Sequence, residues 1–225
     1  MKRFALPLLL LFSLALVSGC HFHVGDSVTG SGVRKSEKRE LPPFNSVNAT
    51  GSFSVEAVSQ KPASFEIEAD DNILPLIRVE VRDGVLYLKA EKSYNSKDGV
   101  IVRLNLPELS KVEATGASKF RIQGLKNDRF EIHTTGASNL TASGIAKEVE
   151  IHTTGAGLVD THSLHADKAT VHSTGAAKVE VYAGDELDAN VSGVAQVTYS
   201  GNPKTVNKHA SGAASISKKD DGGGN

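Results

Sequence analysis

The chain has 225 residues, of which only 5% are aromatic and 21 are glycine, and its formal net charge is −1. This composition argues against a globular core of bulky side chains and favours stacked strands, which pack small residues. Without residues 1–20, and therefore without Lys2 and Arg3, 23 basic residues stand against 26 acidic ones, which argues against nucleic acid as a partner.

Residues 1–20 have the pattern of a signal peptide. Lys2 and Arg3 precede an apolar run from Phe4 to Leu16, and the segment ends in Val17-Ser18-Gly19-Cys20. This tetrapeptide resembles the lipobox of bacterial lipoproteins, whose cysteine is lipidated and becomes the first residue of the mature protein. The alternative is an ordinary secretory signal beside an unrelated cysteine. We predict a lipoprotein signal peptide with lipidation at Cys20.

Cys20 is the only cysteine of the chain, so an internal disulfide is excluded. No other stretch approaches the roughly 20 apolar residues that a membrane-spanning helix needs. We therefore expect a cell-envelope protein that contacts the membrane through its N-terminal lipid anchor. His21 occupies the place where the inner-membrane retention signal of enterobacterial lipoproteins has Asp, which favours the outer over the inner membrane in a Gram-negative source.

Residues 21–40 are polar, contain several glycines and end in a run of mixed charge from Arg34 to Glu40. This composition predicts a flexible tether that holds the body of the protein away from the lipid surface. His21 and His23 are potential metal ligands, but histidines on such a tether are usually only solvated.

From Leu41 onwards, alternating apolar residues predict short strands and no helix. The alternation runs through residues 44–58, 65–69 and 100–106. We therefore expect half-buried strands ahead of the second half of the chain.

The strongest local signal is a predicted hairpin within residues 77–90. Asp83 and Gly84 separate two alternating runs, and this pair tolerates the positive φ that a type I′ turn requires. A two-residue turn at this place sets Val81 opposite Leu86 on one apolar face.

The second half of the chain repeats a short glycine motif six times. The first copy is Thr115-Gly116-Ala117-Ser118, and successive glycines are separated by 20, 19, 20, 18 and 19 residues. Such a period is typical of a solenoid in which each repeat buries its apolar face on its neighbours. We expect the glycines at a corner where φ is positive or stacked backbones approach closely. These structural glycines are Gly116, Gly136, Gly155, Gly175, Gly193 and Gly212.

Each repeat also carries short strands with one apolar face. In the second repeat, Phe130 and Ile132 alternate with Glu131 and His133. At ~3.3 Å per residue, about 19 residues make a loop with three short sides, which matches one rung of a parallel β-helix.

The distribution of proline supports this architecture. No proline occurs between Pro107 and Pro203, so every backbone N–H in between is available to a strand ladder. The predicted fold is all-β: a right-handed parallel β-helix with ~19-residue coils and N-terminal strands and a hairpin, over residues 41–217. Residues 218–225 are predicted to be a disordered tail that shields the last rung.

A column of side chains three residues before each glycine is predicted to face solvent. Its members, spaced about 4.8 Å apart between rungs, are Glu113, His133, His152, His172, Asn190 and His209. Plain stacking of like side chains explains the column. Two alternatives stay open: the ladder of His133, His152 and His172 binds Zn²⁺, or protonation near pH 6.5 loosens the stack by placing like charges side by side. No cofactor is predicted.

Several of these motifs together resemble a known family. The head GIN domain family of putative auto-transporter adhesins (DUF2807) has similar motifs in the same order, namely Phe44-Asn45-Ser46-Val47, Asp83-Gly84-Val85-Leu86, Leu106-Pro107-Glu108-Leu109 and the Thr-Gly-Ala-Ser repeats. The resemblance covers about residues 41–217. It implies a β-helical, surface-directed domain, often found on bacterial lipoproteins, with no catalytic residues to transfer.

An enzymatic function has little support in the residues. Carboxylates recur at Glu131, Glu150, Asp160 and Glu180, but glycosidic chemistry needs two acids at a suitable separation, one with a pKa raised by burial. We predict no catalytic residue and a surface binding, adhesin-like or structural module for a protein or glycan ligand. A carbohydrate-active enzyme and a periplasmic envelope-stress or metal-handling lipoprotein remain alternatives.

Overall fold

The computed structural model describes residues 27–219. The predicted signal peptide with Cys20, the start of the predicted tether and residues 220–225 lie outside the described residues. Within 27–219 the chain is almost entirely β, with one 3₁₀ turn at Leu74–Leu76, and it forms a parallel β-solenoid of about 5 turns. The predicted fold class is confirmed. No helix in this part of the chain has the length and apolar character needed to cross a membrane.

The N-terminal half extends the solenoid with strands that are partly antiparallel. These strands are β1 (Val28–Thr29), β2 (Arg34–Lys38), β3 (Ser46–Gly51), β4 (Phe53–Ser59), β5 (Ser64–Asp70), β6 (Ile77–Arg82), β7 (Val85–Ala90), β8 (Tyr94–Asn95) and β9 (Val100–Leu106). β3 and β4 pair in parallel with strands of the first repeats and so belong to the stack. Antiparallel pairs of β6 with β7, and of β5 with β9 and β2, close this end.

The prediction of a flexible tether is wrong for part of residues 21–40. β2 pairs antiparallel with β5, and β1 pairs in parallel with β8. Arg34 fixes this segment, because its guanidinium donates to the Gly99 carbonyl at 2.8 Å and lies 3.2 Å from Glu68 and 3.4 Å from Asp70. Of the mixed charges that suggested a solvated tether, Arg34 pairs across strands, whereas Lys35 and Arg39 pair with Glu37 of the same segment. Charges along an edge strand also discourage another chain from adding to it.

The predicted hairpin between β6 and β7 is confirmed. Asp83 and Gly84 form its turn with φ of 51° and 74°, the left-handed values that a type I′ turn requires. Val81 lies opposite Leu86, which is fully buried. The turn thus fixes the register that buries the apolar face.

The repeats form the stacked part of the solenoid. Their strands are β10 (Lys111–Gly116), β11 (Lys119–Gly136), β12 (Asn139–Gly155), β13 (Leu158–Gly175), β14 (Lys178–Tyr182), β15 (Glu186–Gly193), β16 (Gln196–Ser200), β17 (Thr205–Gly212) and β18 (Ser215–Lys218). Neighbouring strands of this set pair in parallel, and the repeated glycines align from rung to rung.

Each full coil has three sides. Side A follows the repeated glycine, as in residues 158–161, a short side B comes next, and side C leads to the following glycine, as in residues 168–175. The inward residues of side A are buried as predicted: Phe120 and Ile122, Leu140 and Ala142, Val159 and Thr161, Val179 and Val181, and Val197 and Tyr199. On side C, Phe130 and Ile132 are likewise fully buried, so both sides share one apolar core.

Side C ends at a corner that suits only glycine. The six repeated glycines have φ between 78° and 122°. At Gly155, a Cβ atom would lie 2.9 Å from the backbone nitrogen of Gly136 and closer still to its carbonyl oxygen. A hydrogen bond joins the two rungs at this corner, because the N–H of Ala156 donates to the Gly136 carbonyl at 2.9 Å. A side chain at this corner would therefore push two rungs apart.

The last rung carries lysines where earlier rungs have core residues. Lys208 follows Ala189 in one inward column, and Lys218 follows Tyr199 in another. The Lys208 Nζ lies 4.6 Å from the centre of the Tyr199 ring. Inward-pointing charges discourage another strand from pairing at an open edge. The predicted disordered tail is corrected at its start, because Lys218 belongs to β18, where it is the register partner of Tyr199, and its Nζ donates to the Asn202 Oδ1 at 2.6 Å.

Candidate functional site

The outward residues of side C form a flat polar surface, which we call the histidine face. It consists of the outward side chains of residues 111–116, 129–136, 148–155, 168–175, 186–193 and 205–212. Alternate residues of each strand contribute, because side chains of a strand point to opposite faces in turn. Six rungs at a spacing of about 4.8 Å give this face a length of about 24 Å.

The central column of the histidine face is the predicted ladder. The register aligns Glu113, His133, His152, His172, Asn190 and His209 on successive rungs. Ring centres are 4.7 Å apart between His133 and His152 and 4.9 Å apart between His152 and His172. The amide of Asn48 donates to the Glu113 carboxylate at 2.7 Å and extends the column by one rung. The imidazoles therefore stack on one another along the face.

This stacking is unfavourable for a metal ion shared between rungs. The rings of His152 and His172 are only 20° from parallel, and because imidazole lone pairs lie in the ring plane, they point side by side and do not converge. The Nε2 of His152 also lies 2.6 Å from the Oε1 of Glu150. The geometry favours plain stacking over Zn²⁺ binding for this ladder.

A network of ion pairs lies beside the histidines. Arg129 spans two rungs, with its guanidinium 2.9 Å from Glu131, 3.4 Å from Glu148 and in contact with Glu150. The Arg129 side chain is 49% exposed, so each pair adds little to stability. Arg129 links carboxylates of two adjacent rungs.

These contacts keep the carboxylates ionised. The hydrogen bond from His152, assisted by the charge of Arg129, lowers the pKa of Glu150, and the hydrogen bond from Lys111 lowers the pKa of Glu113. A glycosidase instead needs a general acid whose pKa is raised. The histidine face therefore suits electrostatic binding and not acid catalysis at these residues.

The fold opposes protonation of His133. Burial lowers the pKa of His133, and the charges of Lys111 and His152 lower it further, whereas Glu113 and Glu131 act in the opposite direction. The unfolded chain, with a histidine pKa near 6.5, therefore binds this proton more readily than the folded chain. The corresponding stability is fully present above about pH 6.5 and is lost as the pH falls through the folded-state pKa.

We predict that acidification loosens the stack through His133. The Tm should fall between pH 7.5 and 5.5, and it should fall less in His133→Asn, because Asn190 fills the same column without a titratable group. The effect should be modest, since the His133 side chain is 38% exposed and solvent screens its charge. Glu150 does not interfere, because its pKa is lowered from 4.5 and lies below this range. Circular dichroism melts at constant ionic strength measure the effect, and equal falls in both proteins would contradict it.

A second cluster, on side A, was not predicted as a unit. Asp160 on β13 lies opposite Glu180 on β14, and His162 follows on the same strand as Asp160. Each residue offers one ligand atom, and these atoms all lie within 4.8 Å of one another. The two acids were identified from the sequence, but His162 was not. The sequence analysis grouped only the histidines that lie three residues before a repeated glycine, and His162 does not occupy such a position. The spacing Asp160-Thr161-His162 was the available signal, since it places both polar side chains on one face of a strand.

Solved structures of other proteins share this fold. A putative adhesin from Bacteroides fragilis has a TM-score of 0.69 and 21% identity, over 86% of this chain and 100% of that chain. A putative adhesin from Parabacteroides merdae has a TM-score of 0.56 and 18% identity, over 87% and 100%. A putative lipid binding protein from Parabacteroides distasonis has a TM-score of 0.53 and 22% identity, over 86% and 100%. At these identities the similarity shows the fold alone. No curated protein matches the chain.

A family model matches residues 43–203, which include the hairpin and five of the six repeated glycines. This match confirms the resemblance seen in the sequence motifs. With the β-helical fold, it supports a non-catalytic, adhesin-like role. The chain belongs to the family described as putative auto-transporter adhesin, head GIN domain (DUF2807).

Proposed function

We propose that this protein is a lipid-anchored binding module of the cell envelope that displays the histidine face to a protein partner. The sequence motif Val17-Ser18-Gly19-Cys20 supports the anchor, and His21 supports the outer membrane as its location. The family and the fold support an adhesin-like role.

The observation that carries this proposal is the uninterrupted outer surface of side C. Its strands are aligned in register over six rungs, so a partner meets a preorganised surface and little ordering is needed on binding. A flat face of repeated polar residues has the shape of a docking surface and lacks the enclosed shape of a small-molecule site.

The charge of the histidine face indicates the kind of partner. The face carries three basic side chains and six acidic ones, namely Lys111, Arg129 and Lys168 against Glu113, Glu131, Glu148, Glu150, Glu186 and Asp188. With neutral histidines this leaves a net charge of −3. Electrostatic complementarity favours a neutral or basic protein surface over an acidic glycan, and added salt should weaken binding to a basic one.

Thiol labelling on intact cells tests whether this face is displayed outside. Thr154→Cys puts a thiol on the exposed edge of the face, and Ser173→Cys puts one at a buried position of the next rung. A membrane-impermeant maleimide should label Thr154→Cys on intact cells and leave Ser173→Cys unlabelled. Labelling of Thr154→Cys only after the outer membrane is permeabilised would contradict surface display and favour a periplasmic role.

The lipid anchor is tested by fractionation of the same cells. Wild-type protein should remain with the membranes after washing at high salt, because acyl chains and not surface charges hold it there. Wild type should also incorporate a labelled fatty acid, and Cys20→Ser should not, whether or not its uncleaved apolar segment keeps it at the membrane. Equal incorporation of the label by Cys20→Ser and wild type would contradict lipidation at Cys20.

A further inference from the structure

Two carboxylates on side A face each other on adjacent rungs. Asp160 and Glu180 are register partners in the parallel pair of β13 and β14. Like charges directly opposite each other destabilise a sheet. The next residues of the same column are Thr141 and Thr198, which are uncharged. The Lys178 and Lys219 ammonium groups contact Glu180 and offset part of the repulsion. A cation bound between the two carboxylates would offset it directly.

His162 adds a nitrogen donor to the two carboxylates. Its Nδ1 lies 2.6 Å from the Oδ1 of Asp160, and its Nε2 lies 3.1 Å from the hydroxyl oxygen of Ser163. In this arrangement Nδ1–H donates to the Asp160 carboxylate, and Nε2 accepts from the Ser163 hydroxyl. Ligation of a metal ion through Nδ1 requires the other tautomer, in which Nε2 carries the proton and donates to Ser163. Hydrogen bonds of this kind orient metal-binding imidazoles and select their tautomer.

We propose that Asp160, His162 and Glu180 form a surface site for Zn²⁺. Their ligand atoms lie within 4.8 Å of one another, and ligands at 2.0–2.2 Å from a tetrahedral Zn²⁺ lie about 3.4 Å apart. Because both acids sit at the surface, rotation of their side chains brings the three atoms to that spacing. A mixed set of one nitrogen and two oxygen donors suits Zn²⁺, whereas Ca²⁺ takes oxygen ligands. The fourth position is left to water or to a donor group of a partner.

Two lysines compete with the metal ion for Glu180. The Nζ of Lys178 lies 2.7 Å from its Oε1, and the Nζ of Lys219 lies 3.6 Å from its Oε2. Metal binding must displace at least one of these contacts. Lys178→Met keeps the apolar stem and removes the competing charge, so it should tighten the binding of Zn²⁺.

Calorimetric titration of the full-length protein in detergent with zinc chloride at pH 7.5 tests the site. Wild type should bind one ion per chain, Asp160→Asn and His162→Gln should bind at least 10-fold more weakly, and Lys178→Met should bind more tightly. His152→Asn is the matched control, because it removes an imidazole from the histidine face and should keep wild-type affinity. Melts in the presence of EDTA establish that each variant is as folded as wild type before metal is added.

Three results would overturn the site. The first is the absence of binding heat in wild type, and the second is equal affinity in wild type and Asp160→Asn. The third is loss of binding in His152→Asn, which would move the metal to the histidine ladder. Calcium chloride should give much weaker binding than zinc chloride, and equal binding of the two ions would contradict ligation by His162.

Discussion

Replacement of Gly155 by valine should unfold the solenoid well below the Tm of the wild type. Gly155 has a φ of 122°, and a Cβ atom there would lie 2.9 Å from the backbone nitrogen of Gly136. The unfavourable φ alone costs about 1–3 kcal/mol, and the overlap with a neighbouring rung adds to it. We expect the free energy of unfolding to fall by at least about 3 kcal/mol, which is a fall of about 10 °C in Tm for a domain of this size.

Ala156→Val is the matched control for this substitution. Ala156 is the exposed residue directly after Gly155, and Val194 fills the corresponding place two rungs later with 64% exposure. The control should change stability by no more than about 0.5 kcal/mol. Thermal unfolding of both variants decides the matter, and similar Tm values for Gly155→Val and Ala156→Val would contradict the corner geometry.

Replacement of Lys208 and Lys218 by leucine should cause the solenoid to associate end to end. The change continues two inward columns with apolar side chains at the last rung. The two leucines enlarge the exposed apolar surface at this end, where Val206 is already 38% exposed. The free edges of β17 and β18 also lose their inward charges. Exposed edges of this kind pair readily with other strands. We expect the molar mass from light scattering to rise with protein concentration in the double variant and to exceed that of wild type.

Lys204→Leu separates this effect from a simple gain in apolar surface. Lys204 lies next to β17, and its side chain is 84% exposed and paired with Asp185 at 2.9 Å. It makes no contribution to an inward column, so its replacement should leave the molar mass unchanged. The capping role of Lys208 and Lys218 would be refuted by equal molar masses of the double variant and wild type in the same detergent and over the same concentrations.

The repeat architecture was predictable because one physical requirement recurs on every rung. Glycine is needed wherever the corner backbones approach, and its period of about 19 residues therefore reveals the length of a coil. The alternation of Phe130 and Ile132 with Glu131 and His133 then defines the two sides of each strand. The Asp83-Gly84 turn was equally informative, because few other residue pairs suit its dihedral angles.

The strands within the predicted tether were not predictable in the same way. β2 reads Arg34-Lys35-Ser36-Glu37-Lys38 and lacks an apolar face. Its place is fixed by long-range contacts of Arg34 with Glu68 and Asp70, and such pairings leave no periodic pattern in the local sequence.

The inward position of the lysines and the grouping of Asp160, Glu180 and His162 were not predicted, for a related reason. The local sequence does not mark Lys208 as a capping residue. Its role follows from the place of β17 at the end of the stack, where an inward position is not covered by a further rung. Asp160, His162 and Glu180 belong to side A, whose outward column has no repeated residue type. Their significance comes from distances between two rungs and not from the period of the chain.

The histidine face is built as a straight stack of rungs in register. Pulsed electron spin resonance distances test it on a Cys20→Ser background, with one label at Thr115 and a second at Thr174, Ser192 or Ser211. These sites are three, four and five rungs away from Thr115, so the distances should increase in equal steps of about 4.8 Å, from about 14 to about 24 Å. Distances that fail to increase in this order, or that change by unequal steps, would contradict the stacked face and the binding surface built on it.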